Sequence, residues 1–161
     1  MMGQIVAATL GVLAFAILFH APRRSYAACA LCGGFCWAMY LVFSALGLNI
    51  FMASVAAVAM MTLLARVLSV AMRMPNTVFI VTGIFAIVPG ASIYYSAYSL
   101  MVSDIALFQL KSKETVLLAG AIALGIIVGM SLPQTVPLAL GSLLRRAARA
   151  IRGKRQERNR E

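Results

Sequence analysis

The stretch Met74-Pro75-Asn76-Thr77-Val78-Phe79-Ile80-Val81-Thr82-Gly83-Ile84-Phe85-Ala86-Ile87-Val88-Pro89-Gly90-Ala91-Ser92 decides how this chain is built. It belongs to an uncharged run, Met74–Ser103, that would make a straight helix of about 45 Å against a hydrocarbon core of about 30 Å. Pro89-Gly90 stands at the centre of that run. Proline removes a backbone donor and clashes with the preceding turn, and glycine tolerates the change of direction. A break in hydrocarbon is costly unless the freed groups meet protein or line a cavity. Two outcomes are open. The half-helix beginning near Ala91, Ser92 and Ile93 could aim its N–H groups at a carboxylate, with the hydroxyls of Thr82, Ser92, Tyr94, Tyr95 and Tyr98 nearby. Alternatively the break is a plain proline kink beside a belt of interfacial tyrosines. On the first outcome the candidate binding residues are Thr82, Pro89, Gly90, Ser92, Tyr94 and Tyr98.

The rest of the chain supports a membrane setting. Of its 161 residues 63% are hydrophobic and 11% charged, and mean hydropathy is +0.96. Soluble domains carry about 45–50% apolar and about 25% charged residues, so a soluble enzyme and a disordered tail are both excluded. Uncharged runs cover Met1–Pro22, Ser25–Ala65, Met74–Ser103 and Thr115–Leu144. The second is long enough for two crossings, with Gly47-Leu48-Asn49 as the turn between them. The expectation is an all-α membrane protein of five spans near residues 2–19, 26–46, 50–67, 77–101 and 115–132, the fourth broken at Pro89-Gly90. Residues 1–140 form the transmembrane domain and 141–161 a basic cytoplasmic tail. The first span does not look like a cleaved signal, because its cations follow the apolar stretch instead of preceding it. Tyr26-Ala27-Ala28-Cys29 only faintly matches a lipoprotein cleavage site.

Charge gives an orientation. Five spans place Arg23, Arg24, Arg66, Arg73 and the eight tail cations on one side and leave only Lys111 and Lys113 on the other. The excess of Lys and Arg on cytoplasmic loops then sets the N-terminus outside and the C-terminus inside. In the tail, Leu143, Leu144, Ala147, Ala148 and Ile151 recur at helical spacing against Arg145, Arg146, Arg149 and Arg152. Such a helix lies on anionic lipid, or serves only to fix topology. Arg23, Arg24, Arg145, Arg146 and Arg149 are therefore the topology and lipid-contact candidates. Nucleic acid is a poor partner for this charge, since no base-reading or aromatic residues accompany the arginines.

The ionisable inventory limits chemistry. Glu157 and Glu161 lie in the tail, Glu114 opens the fifth span and Asp104 follows the fourth, so no predicted span contains a carboxylate. The single His20 sits at a membrane edge. A metal-dependent intramembrane protease or a His-assisted serine nucleophile has too few groups to draw on, so no catalytic site, metal or cofactor is expected. A proton carrier, if one is needed, is Asp104, His20 or a residue of another chain. Cys29, Cys32 and Cys36 share one face of the second span. A closed zinc site would want a fourth ligand, and with Gly33 and Gly34 alongside they form a small-residue seam for a neighbouring helix. Gly125-x-x-x-Gly129 is a second such face, and the ten methionines are core and lipid-facing filler.

Taken together, an apolar span ending in Pro22-Arg23-Arg24, a Gly-rich second span with Trp37, and Pro75…Phe79-Ile80…Gly83-Ile84…Val88-Pro89-Gly90 followed by a tyrosine pair resemble the threonine/serine exporter family. The chain is most similar to the small subunit of the split, two-component form, up to about Leu132. The resemblance implies a bacterial inner-membrane protein that exports threonine and serine or succinate-like dicarboxylates. It also implies a larger multi-span partner subunit that supplies a second set of helices. The tail after Gly141 is not part of the pattern. Two other readings remain open: a structural or assembly subunit without a substrate site of its own, and a homo-oligomeric transporter. Substitutions at Ser92, Tyr94 and Tyr98 discriminate them, altering substrate preference if the break binds substrate and only complex stability if it does not.

Overall fold

Six helices and one short 3₁₀ turn make up the computed structural model, which describes residues 2–131. They are α1 (Met2–Leu18), the 3₁₀ turn Arg23–Ser25, α2 (Tyr26–Ala45), α3 (Ile50–Met72), α4 (Asn76–Ile84), α5 (Gly90–Met101) and α6 (Ile105–Ser131). No strand occurs among the described residues. Three segments are each long and apolar enough to cross a membrane: Arg23–Ala45, Ile50–Met72 and Ile105–Ser131. α1 is a shorter apolar helix of 17 residues. α4 and α5, of 9 and 12 residues, approach crossing length only when taken together.

Local chemistry sets the helix ends. Gly47 takes φ +85° in the α2–α3 turn, and the Asn49 side chain then accepts a 2.9 Å hydrogen bond from the Met52 N–H, capping α3. α3 closes on Arg73 in the left-handed region, with the Met74 N–H returning to the Ser69 carbonyl at 3.2 Å. Pro75 follows directly and starts α4, where its missing N–H costs nothing. Asp104 caps α6 by accepting from the Leu107 N–H at 3.0 Å. Caps rather than charges decide the boundaries. α3 therefore carries Arg66 within the helix, and α6 starts ten residues before Thr115 and absorbs Lys111, Lys113 and Glu114.

The helices pack as neighbours in the order α1, α2, α3, α6, α5, with α4 lodged against α2 and α3. Close approach depends on small residues. On α2 the three cysteines are fully buried toward α3 and α4: the Cys36 thiol lies 4.0 Å from the Ala57 carbonyl and the Cys29 thiol 4.0 Å from that of Val78. A Cβ on Gly33 would run into Val12 of α1, and one on Gly34 into Thr9. α2 thus carries two seams, thiols on one side and glycines on the other. On α6, a Cβ at Gly125 would stand 2.8 Å from the Val55 carbonyl oxygen, and one at Gly129 2.9 Å from that of Ala59. The G-x-x-x-G face is the contact with α3. Phe79, Met61, Val58, Ala57, Ala65 and the cysteines fill the common core.

Candidate functional site

The interruption between α4 and α5 is present and begins before the proline. α4 stops at Ile84, and residues 85–88 continue as overlapping turns: Ile87 N–H to Ile84 O at 2.9 Å, Val88 N–H to the same carbonyl at 3.1 Å. Pro89 has no N–H to offer the Phe85 carbonyl, and its ring would collide with that turn. α5 restarts at Gly90, with the Ile93 N–H bonded to the Pro89 carbonyl at 3.0 Å. Phe85 fastens the break to α1. Its ring stacks on Phe15 at 4.3 Å between centroids and leans on Phe19 at 5.3 Å. Gly90 does not use a positive φ, and a Cβ there would meet no heavy atom within 4 Å. Its lack of a side chain leaves open space at the start of α5.

Around that opening the candidate residues divide. Ser92, in the first turn of α5, is buried and faces Glu114 of α6. Glu114 also pairs with Lys111 at 3.0 Å. One turn further on, the Ser96 and Ser112 hydroxyls are 2.6 Å apart, and Ser99 is buried with its hydroxyl on the Tyr95 carbonyl at 2.8 Å. The tyrosines lie on the exposed side of α5. Tyr94 and Tyr98 stack at 6.3 Å, and Tyr95 meets Tyr94 edge-on at 5.4 Å. Thr82 is buried in α4 and donates to the Val78 carbonyl at 2.8 Å, back into its own helix. Pro89, Gly90 and Ser92 are thus gathered at one turn, while Tyr94 and Tyr98 are set on another face and Thr82 on another helix.

Arg23 and Arg24 are exposed in the 3₁₀ turn. Arg145, Arg146 and Arg149 lie outside the described residues. Among the described residues no group of His, Cys, Asp or Glu is arranged to hold a metal ion.

Sequence reasoning missed one stripe. Arg66, counted there only as an orienting cation, is buried in α3, and its Nη1 donates to the Gly129 carbonyl of α6 at 2.8 Å. The residue four places on from Gly129 is Pro133, which has no N–H for that carbonyl. Ser54 and Thr62 share the stripe. Both are fully buried, and neither hydroxyl has a hydrogen-bond partner. Other helical hydroxyls behave differently: Thr9, Thr82, Ser99, Thr115 and Ser131 each bond the carbonyl four residues earlier. A buried, unsatisfied hydroxyl costs about 1–3 kcal/mol, so leaving two such bonds unmade on one helix is a substantial departure. The spacing of 54, 58, 62 and 66 was visible in the sequence, but its orientation toward α6 was not.

A broken apolar helix, glycine seams and a charge-poor interior are the properties that the comparisons with known proteins can test. The family model described as "Threonine/Serine exporter, ThrE" matches residues 4–132. The chain belongs to the threonine/serine exporter family. None of the curated proteins matches it, and no solved structure does. The matched region ends within one residue of the end of α6, so every helix described above belongs to the family unit. Membership makes the chain a membrane transport protein of an exporter family rather than a member of an enzyme family.

Proposed function

We propose that this chain is the smaller membrane subunit of a secondary exporter for small carboxylate-bearing metabolites, threonine and serine or succinate-like dicarboxylates. It works in the bacterial inner membrane beside a larger subunit of the same family. In this reading α1, α2, α3, the α4–α5 pair and α6 are five crossings, with the N-terminus outside and the basic tail on the inner, anionic leaflet. The break at Pro89–Gly90 forms part of the substrate cradle and alternates its access between the two sides. One observation carries the proposal: the crossing is interrupted at its centre, and the restarting helix opens at an exposed glycine whose backbone no side chain covers.

The exposed Tyr94, Tyr95 and Tyr98 suit the partner reading, since apolar and aromatic surface of this kind can be covered by the second set of helices. Gly90→Val tests the cradle. A Cβ there meets no heavy atom within 4 Å and the position is exposed, so the variant is expected to insert and fold while export of threonine or succinate from loaded cells falls to background. Wild-type export by Gly90→Val refutes the cradle. A reporter fused after Glu161 acts as cytoplasmic and one placed in the Gly47–Asn49 turn as external; the reverse pattern refutes the orientation.

A further inference from the structure

We propose that the α3 row Ser54–Thr62–Arg66 is a substrate-binding station in the α3–α6 seam, in which Arg66 takes the carboxylate of the exported solute and Thr62 donates its hydroxyl to it. The proposal rests on the exporter reading but not on the cradle at Pro89–Gly90. Residues 54, 58, 62 and 66 recur every four positions, a row of about 18 Å along α3. Val58 and Thr62 lie where Gly125 and Gly129 press closest, and Arg66 reaches the Gly129 carbonyl. A cationic side chain that is 8% exposed inside an apolar helix is expensive to keep, and such residues mark solute pathways. Across the α3–α6 seam it meets a neutral carbonyl, that of Gly129. A carboxylate is the stronger partner for a guanidinium, through two parallel N–H···O bonds.

The orphaned hydroxyls make the row a site rather than a helix clasp. Thr62 and Ser54 could each return a hydrogen bond to the carbonyl one turn back, as Thr82 and Ser99 do, yet both remain unpartnered at 0% exposure. Thr62 is one turn from Arg66 on the same side of α3, so one carboxylate can accept from both. In this structure the seam is shut, since Gly129 leaves no room even for a Cβ against Thr62. Occupation therefore requires α6 to lift from α3, with Arg66 exchanging the Gly129 carbonyl for the solute. The seam is a gate as well as a station.

The test is efflux of L-threonine and of succinate from loaded cells whose native copy is deleted and replaced by the full-length chain, with the half-saturating internal concentration as readout. Thr62→Val keeps shape and removes only the hydroxyl. It is expected to insert normally, to melt no lower than the wild type, and to raise half-saturation about tenfold for the transported solute, the loss of one hydrogen bond to a charged group. Thr62→Ser restores the wild-type value. Arg66→Lys keeps the charge but loses the two-pronged contact, and raises half-saturation by at least as much. Unchanged half-saturation for both solutes in Thr62→Val overturns the station, whatever Arg66→Lys does. If Gly90→Val is inactive in the same assay while Thr62→Val is normal, the cradle stands and the station falls; the opposite pattern removes the cradle and keeps the station. No wild-type-dependent efflux of either solute overturns the exporter reading and the station together.

Discussion

α6 is held at its two halves by different means. Toward its C-terminal end it meets α3 through Gly125 and Gly129, where an added Cβ would come within 2.8 Å and 2.9 Å of the backbone carbonyl oxygens of Val55 and Ala59. Toward its N-terminal end it meets α5 through side-chain polar groups: Ser96 with Ser112, and Ser92 with Glu114, which Lys111 also holds. The first contact is made of surface complementarity between main chains and is all-or-none. The second consists of separate polar contacts that can be exchanged one at a time. Where water is excluded, close backbone approach gains dispersion over a broad area and tolerates no added volume. Hydroxyl contacts hold more weakly and can re-form with other partners. A transporter needs both kinds, a contact that parts or closes as a whole and one that can be remade bond by bond.

The largest expected effect comes from breaking the first contact. Gly129→Val places atoms against the Ala59 carbonyl and Thr62, neither of which can yield without parting the helices. Overpacking of this kind costs about 3 kcal/mol or more. The matched control lies on the same helix: a Cβ at Gly120 meets nothing within 4 Å. Gly120→Ala is expected to stabilise by about 0.5–1 kcal/mol through helix propensity alone. Thermal unfolding of the detergent-solubilised full chain checks both. Equal destabilisation at the two glycines would dissolve the distinction between the seams.

A smaller effect is expected on the serine side. Ser96→Ala removes one hydrogen bond to Ser112 and costs about 1 kcal/mol, with the apolar body of the α5–α6 contact intact. Asp104→Ala, which uncaps α6 at the same end, costs a similar amount, about 1 kcal/mol. Both variants are expected to insert and to melt a few degrees below the wild type. A loss as large as that of Gly129→Val would mean that the polar contact, not the glycine face, carries the assembly.

Much of this architecture was legible from local rules. Proline chemistry gave the break at Pro89, turn chemistry the Gly47–Asn49 link, and small-residue spacing both the cysteine face of α2 and the G-x-x-x-G face of α6. Helix ends at charged residues were not legible. Charge was taken as a boundary, whereas a cap such as Asp104 lets a helix form through Lys111 and Glu114 once neighbouring groups receive them. The candidate site was legible only in part. Pro89, Gly90 and Ser92 are adjacent in the chain and meet at one turn for that reason alone. Contacts such as Ser92 with Glu114, or Arg66 with Gly129, join residues far apart in sequence. They depend on how α6 is rotated against its neighbours, which a single hydropathy pattern does not encode. Thr62 shows the limit well: its composition and spacing are those of any buried threonine, and only the missing hydrogen bond sets it apart.

The finest test of the comparison is the Lys111–Glu114 pair, where the smallest stability effect is expected. The two side chains are 28% and 37% exposed, so solvent screens them, and exposed pairs of this kind contribute about 0.5 kcal/mol. Glu114→Gln removes the charge but keeps the size and an acceptor oxygen, which isolates the ionic part of the contact. The variant is expected to melt within about a degree of the wild type at high salt. At low salt, where the Debye length grows to about 30 Å, a gap should open in favour of the wild type. Measuring both melting curves at about 0.01 M and about 1 M salt decides whether the α5–α6 contact carries an electrostatic component. A salt-independent difference would assign the contact to its hydroxyls alone and leave α6 clasped at one end by main chain and at the other by neutral hydrogen bonds.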